Sequence, residues 1–256
     1  MVNPFSPGAE ILYFDEVDST MFEAKRLVQA KGGRGVSSGT VVRAGYQSSG
    51  RGRIAERQWL VSPGDGLLFT IIFTSVDLKI RMADKPFSVL SLLCGLAVSL
   101  SIEAFVPKSE VRIKWPNDIL VDGKKICGML CESSGGYCYA GIGINIKQKI
   151  FTEKLRRPAC SLEMIIGKII EPEVLLSSVL ENMSLVLQSS SWKADIEERL
   201  YLKDEIIQMN VGLAEEKAVN NSIVEGRLVG IDPSGALSLE TDKGFISILN
   251  GDLIIR

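Results

Sequence analysis

Histidine is absent from the 256 residues of this chain. Its absence excludes imidazole general bases, serine–histidine triads and most zinc sites. Cysteine occurs five times, at positions 94, 127, 131, 138 and 160, with no C-x-x-C pair. An odd number without that spacing is neither a disulfide framework nor a thiolate metal site, and reads as reduced thiols in a cytoplasmic protein. Charge of one sign is also missing. Twenty-nine Lys and Arg face thirty-one Asp and Glu, for a net charge of −2. No global field therefore draws the chain to nucleic acid or to an anionic membrane, and any phosphate must be held by a local cluster of cations. The N-terminus has no basic stretch followed by an apolar one, so no secretory signal is expected. The longest uncharged run, between Lys85 and Glu103, has 17 residues and includes four serines. It falls just short of the roughly 18–20 residues that span a bilayer. With Pro86 suited to a first helical turn and Pro107 beyond the end, a buried core helix is predicted.

What the chain does contain is an ordinary globular composition, 46% apolar and 23% charged, long enough for one large domain and a small one. Ile11–Phe14 suits a strand. A helix follows, for which Thr20 and Glu23 have capping-box spacing and Gly32-Gly33 supply the stop. Thr40–Gln47 and Gly66–Ser75 read as strands, as do Lys125–Glu132 and Tyr137–Ile146, and Asp122-Gly123 is a hairpin signal. Residues 172–203 carry helical stripes. Near Asp204 the pattern changes to short alternating strands cut by Pro233-Ser234-Gly235, Asp242-Lys243-Gly244 and Asn250-Gly251, as in a small antiparallel barrel or sandwich. The expected division is 1–204 and 205–256.

Four stretches could carry chemistry. In Val111-Arg112-Ile113-Lys114-Trp115, apolar residues alternate with cations, so Lys114 points away from the apolar face. Pro116 ends the ladder and Asn117-Asp118 turn the chain. Lys114 is then either a rigid cation for an anionic substrate or a solvated surface lysine. Gly50-Arg51-Gly52-Arg53, with Arg57 close by, combines close backbone approach with guanidinium forks that suit phosphate or carboxylate; a basic surface loop is the alternative. Gly141-Ile142-Gly143-Ile144-Asn145 puts the glycines and Asn145 on one face, which leaves a flat floor or a surface for close helix packing. Gly128 adds another glycine within a strand, whereas Lys124 and Lys125, beside a hairpin turn, read as solvated.

Taken in order, Asp18-Ser19-Thr20, then Gln47 before Gly-Arg-Gly-Arg and Trp59, then Lys114-Trp-Pro-Asn-Asp118, then Gly123-Lys-Lys-x-x-Gly128-x-Leu-x-Glu132, then Gly141-Ile-Gly-Ile-Asn145, this chain resembles the biotin protein ligases. The resemblance covers nearly the whole chain. It implies an α/β (α+β) fold, with a mixed, largely antiparallel sheet flanked by helices of the class II synthetase-like kind and a C-terminal SH3-like β barrel. It also implies an activity. Biotin's carboxylate attacks the α-phosphorus of ATP, with Mg2+, to give biotinyl-5′-AMP and pyrophosphate. A lysine of a biotin carboxyl carrier domain then displaces AMP.

By resemblance Lys114, Arg51 and Arg53 are the catalytic cations. Biotin would be bound by Ser19, Thr20, Met21, Gln47, Gly50, Arg51, Gly52, Arg53, Lys114, Gly128, Gly141 and Gly143. ATP would meet Arg51, Arg53, Arg57, Trp59, Lys114, Asn117 and Asn145. No metal site fixed by protein side chains is expected, nor any nucleic-acid or membrane partner; a homodimer is compatible. Two departures stand out: Met21 replaces the usual Asn, and the loop from Ile54 to Gln58 is one residue longer than the common form. Only about a dozen residues precede the Asp-Ser-Thr motif, so ligation without operator binding is expected. Alternatives are a lipoate or octanoate ligase, a catalytically dead biotin sensor, and a binding module built on the C-terminal barrel.

Overall fold

In a computed structural model, the chain is described over residues 2–6, 8–33, 35–53, 58–83, 85–151, 158–211 and 222–254. A seven-stranded sheet runs in the order β1-β2-β3-β7-β6-β5-β4. Its strands are β1 (Ile11–Val17), β2 (Thr40–Gln47), β3 (Gly66–Thr74), β4 (Val111–Lys114), β5 (Asp118–Val121), β6 (Lys124–Ser134) and β7 (Tyr137–Asn145). Only β1 and β2 pair in parallel. That pair needs a crossover, which α1 (Thr20–Ala30) provides. All other neighbours are antiparallel, so the sheet is mixed and largely antiparallel, as expected.

One face of the sheet meets α2 (Ser75–Met82), α3 (Leu90–Glu103) and, beyond the short α4 (Leu162–Ile166), α5 (Pro172–Gln188). Helix α3 has eleven of its fourteen residues buried, the distribution of a central core helix and not of a surface one. Its buried hydroxyls are satisfied within the helix, Ser99 donating to Gly95 O and Ser101 to Ala97 O. Pro86 stands just before a 3-10 turn that leads into this helix. Among the described residues no single helix is long and apolar enough to cross a membrane. The other face carries α1 over β2, β3 and β7, with Met21, Ala24 and Val28 packed on Val42, Ile72 and Tyr139.

The predicted helix start needs correcting. Ser19, not Thr20, is the N-cap, its hydroxyl accepting from Met21 N. Thr20 is inside the helix and Glu23 pairs instead with Arg26. The reason is tertiary: the Thr20 hydroxyl is drawn to Gln47 on β2. The hairpin signal at Asp122-Gly123 holds, with φ of 48° and 75°, the signs that a two-residue primed turn requires.

The C-terminal strands β8 (Ile206–Val211), β9 (Ser222–Ile231), β10 (Leu237–Thr241), β11 (Gly244–Ile248) and β12 (Gly251–Ile254) form an antiparallel sheet in the order β11-β10-β9-β8-β12. The two edge strands are successive in the chain, joined only by Leu249-Asn250, so the sheet must curl strongly upon itself. It is docked on the large sheet at β4. Between them, α6 (Trp192–Glu198) leads to a segment that covers the outer edge of β4, where Ile113 N donates to Arg199 O and Tyr201 N to Ile113 O. Trp115 Nε1 donates to Gly235 O at 2.9 Å, a buried bond across 120 residues. Apolar residues of both sheets belong to one continuous core.

Candidate active site

A single row of cross-strand partners organises the site. Lys114 on β4 faces Asp118 on β5, which faces Gly128 on β6, Gly143 on β7, Leu68 on β3 and Ala44 on β2. Residues directly opposite in a ladder project to the same face. A cation and a carboxylate therefore stand beside two adjacent glycines, on the face that α1 covers only in part. Val111 and Ile113 point the other way into the core, which fixes the strand and with it the lysine. The Lys114 side chain is 12% exposed, and its Nζ lies 3.5 Å from Asp118 Oδ2. Asp118 Oδ1 lies 2.7 Å from Lys125 Nζ. The peptide bond between Trp115 and Pro116 is cis.

The glycine floor is real and it is covered. The Trp59 indole lies across it: a Cβ on Gly143 would come within 2.6 Å of Trp59 Nε1, and one on Gly128 within 2.9 Å of Trp59 Cζ3. The indole N–H is buried and has no hydrogen-bond partner among the described residues. Lys125 Nζ stands 5.3 Å from the ring centroid, within cation–π range.

A polar group forms the α1 end of the same face. Gln47 Oε1 accepts from Thr20 N at 2.7 Å and from Thr20 Oγ1 at 2.9 Å, and Thr70 Oγ1 donates to Thr20 Oγ1 at 3.0 Å. Met21 reaches over Gly141, its Cε 3.0 Å from where a Cβ there would stand. Ser19, Thr20, Met21, Gln47 and Gly141 are thus brought together. The Asp18 carboxylate, just before this group, is held down to about 2 by hydrogen bonds from Arg26 and by the Ser19 N–H.

The Gly-Arg-Gly-Arg loop leaves β2 beside this cluster and returns at Trp59, whose backbone N–H donates to Gly50 O. Glycine is required at 50, since a Cβ would meet Trp59 O at 2.5 Å. The two arginines diverge. Arg51 packs over the Phe22 ring, 5.1 Å from its centroid, with Nη1 3.8 Å from Glu132 Oε1; Glu132 also accepts from Lys25. Arg53 turns to the C-terminal sheet, donating to Asn250 Oδ1, Gly251 O and Asp252 Oδ1. Gly52 lies between them, and Arg57 is outside the described residues. Asn117 Nδ2 donates to Met129 O and Asn145 Nδ2 to Cys160 O. Both amides therefore brace backbone at the rim of the floor.

Lys125 and Glu132 stand in the motif quoted above but were given no site role there. The first was read as solvated, yet it joins Asp118 and Trp59; the second pairs with a loop arginine. Among the described residues no cluster of three His, Cys, Asp or Glu could hold a metal ion.

Residues 17–148 match the model of the "Biotin/lipoate A/B protein ligase family", and residues 217–256 match "Biotin protein ligase C terminal domain". The chain belongs to the biotin/lipoate A/B protein ligase family. It is 29% identical over 253 residues to the bifunctional ligase/repressor BirA of Bacillus subtilis, spanning 96% of this chain and 74% of that one. It is 28% identical over 246 residues to the biotin–[acetyl-CoA-carboxylase] ligase of Paracoccus denitrificans, spanning 89% and 92%. The solved biotin protein ligase from Aquifex aeolicus in complex with biotin and ATP superposes with a TM-score of 0.78 at 28% identity, covering 96% of this chain and 98% of that one. The α+β catalytic sheet and the C-terminal antiparallel sheet are thus those of an ATP-dependent biotin ligase.

Proposed function

We propose that this chain activates biotin with ATP to biotinyl-5′-AMP and transfers the biotinyl group to a lysine of a biotin carboxyl carrier domain. One observation carries the reading: Lys114 and Asp118 flank the Gly128–Gly143 floor in one cross-strand row. Two anions, a carboxylate and an α-phosphate, must approach each other, and a cation held by a buried strand lowers that barrier electrostatically. Lys114 takes this role. A carboxylate oxygen attacks the α-phosphorus while the bond to the pyrophosphate oxygen breaks. In the second step the carrier's amine attacks the acyl carbon and AMP leaves.

Gly128, Gly141 and Gly143 give biotin its floor, and Ser19, Thr20, Met21 and Gln47 its polar end. Trp59 must rise from the floor, or be stacked upon, when substrate enters. Its unsatisfied N–H favours that exchange, since a buried donor without a partner costs about 1–3 kcal/mol. The loop arginines Arg51 and Arg53, with Gly50 and Gly52 as hinges, serve the phosphates, and Asn117 and Asn145 set the rim that meets the nucleotide. Mg2+ would enter with the substrate as the triphosphate complex, keeping most of its waters. The catalytic unit is residues 1–204 and the β unit 205–256.

Incubation with ATP, biotin and an apo carrier domain tests the reading: the carrier gains the mass of one biotinyl group. Tight biotin binding without transfer would mean a sensor. Within this assay, Lys114→Ala should nearly abolish adenylate formation, and near-normal turnover would remove its role.

A further inference from the structure

Lys114 is the last residue of β4, a strand of four residues at the margin of the large sheet. Its ladder neighbour is β5, and the bridge from Leu200 reaches only as far as Ile113. What holds the chain just past the lysine lies outside that sheet. The Trp115 indole donates to Gly235 O at 2.9 Å, and Ser91 of α3 donates to Pro116 O at 3.2 Å.

The accepting carbonyl belongs to the turn Asp232-Pro233-Ser234-Gly235-Ala236 between β9 and β10. This turn is closed by its own aspartate, whose short side chain can reach back to nearby backbone donors. Asp232 Oδ1 accepts from Ser234 N at 2.8 Å, Ser234 Oγ at 2.6 Å and Ala236 N at 3.1 Å. Gly235 N donates to Asp232 O, and Asp232 N to Ala236 O. One carboxylate oxygen thus sets the direction in which the Gly235 carbonyl points. Gly235 has a φ of 83°, and a Cβ on it would stand 2.9 Å from Val89 Cγ1. The turn therefore seats against the start of α3 with no room to shift. On its exposed side, Ser88 Oγ donates to Ser234 O at 2.6 Å. None of these residues belongs to the glycine floor, the polar end or the arginine loop.

We propose that Asp232 is a positioning residue for Lys114, acting through Gly235 and Trp115. The proposal rests on the biotin-and-ATP reading above, in which Lys114 bridges the two reacting anions. The aspartate fixes the turn, the turn aims a carbonyl, and the carbonyl holds the indole. The indole in turn fixes the peptide that follows the lysine. Neither Asp232 nor Trp115 touches substrate. Without the aspartate oxygen the carbonyl turns away and the ammonium group drifts. A drift of a fraction of an ångström matters where reacting atoms must be held within about 3–3.5 Å.

The test is ATP–pyrophosphate exchange by the full chain, at a temperature where circular dichroism shows every variant folded. Asp232→Ala should lower kcat by roughly 10- to 100-fold, the scale for misplacing a reacting group by up to about 1 Å. The KM for biotin should stay near that of wild type, because the floor and the polar end are carried by other strands. Asp232→Asn keeps Oδ1 and should recover most of the rate. Trp115→Phe should lose a similar share of kcat, and the double variant should lose no more than the larger single loss. Ser88→Ala removes a different bond of the same turn and should leave kcat within about twofold of wild type, as expected of an exposed contact.

A kcat within twofold of wild type in Asp232→Ala would overturn the proposal. So would losses that multiply in the double variant, since Asp232 would then not act through Trp115. An equal loss in Ser88→Ala would also overturn it, by tying the rate to docking of the turn in general. Should Asp232→Ala fail to fold, Asp232→Ser is read against the same criteria. If the wild type exchanges nothing, the ligase reading itself fails and this proposal falls with it; an active wild type beside an equally active Asp232→Ala removes the positioning role alone.

Discussion

Arg53 reaches from the glycine-rich loop to the C-terminal sheet, where its Nη2 lies 2.9 Å from Asp252 Oδ1. Two further acceptors, Asn250 Oδ1 at 2.6 Å and Gly251 O at 3.1 Å, complete the grip. If Arg53 serves the nucleotide phosphates, it must first let go. A partly exposed pair of this kind is worth up to about 1 kcal/mol, or roughly fivefold in affinity. Asp252→Ala should therefore lower the KM for ATP by a few-fold in pyrophosphate exchange. Added to Arg53→Ala, the same change should have no further effect. A raised KM in Asp252→Ala would mean that the C-terminal contact helps nucleotide binding instead of competing with it.

The floor makes a graded prediction. A methyl group on Gly143 collides with the bulky Trp59 indole at 2.6 Å, whereas one on Gly141 meets the flexible end of Met21 at 3.0 Å. Gly143→Ala should cost at least roughly tenfold in biotin affinity, equivalent to about 1.4 kcal/mol, and shift Trp59 fluorescence. Gly141→Ala should cost less. The opposite ranking by calorimetry would place biotin elsewhere on the sheet.

Stability should respond at Trp115. Replacing it with Phe keeps most of the ring but leaves the buried Gly235 carbonyl without its donor. The expected loss is about 1–3 kcal/mol in urea unfolding. A loss below about 0.5 kcal/mol, the range of neutral surface changes, would show that another donor replaces the indole.

Asp18 sets an acid limit on the start of α1. Its carboxyl is lowered from 3.8 to about 2, first by Arg26 and also by the Ser19 N–H. A lowered carboxyl contributes stability that is fully present above its unfolded value and is lost as pH falls through the folded one. The stability difference between wild type and Asp18→Asn should hold above pH 3.8 and shrink toward pH 2. Because the pair is exposed and screened, the difference should be small. A difference independent of pH across that window would assign the effect to helix capping alone.

Much of this was legible because the signals were local. Alternation around Lys114, the primed turn at Asp122-Gly123 and the breaks in the C-terminal sheet are each written within a few residues. Helix α2 was hidden because it begins at Ser75, directly after the apolar run of β3. Lys125 was misread for a different reason. Its face depends on a bulge created by the partner strand, and nothing in Lys-Lys-Ile-Cys-Gly announces it. The destination of Arg53 is 199 positions along the chain, beyond the reach of any local pattern, so the expectation placed it on biotin and ATP and not on the C-terminal sheet. Thr20 shows the same limit on a smaller scale, since the capping-box spacing lost to a partner on β2.

The bond from Trp115 to Gly235 joins the residue next to Lys114 to a turn of the other sheet, within apolar packing common to both. Denaturation should therefore proceed in one concerted step, and a version shortened after Asp204 would not be a minimal enzyme. It would carry a raw oily scar against the very strand that aims its central lysine.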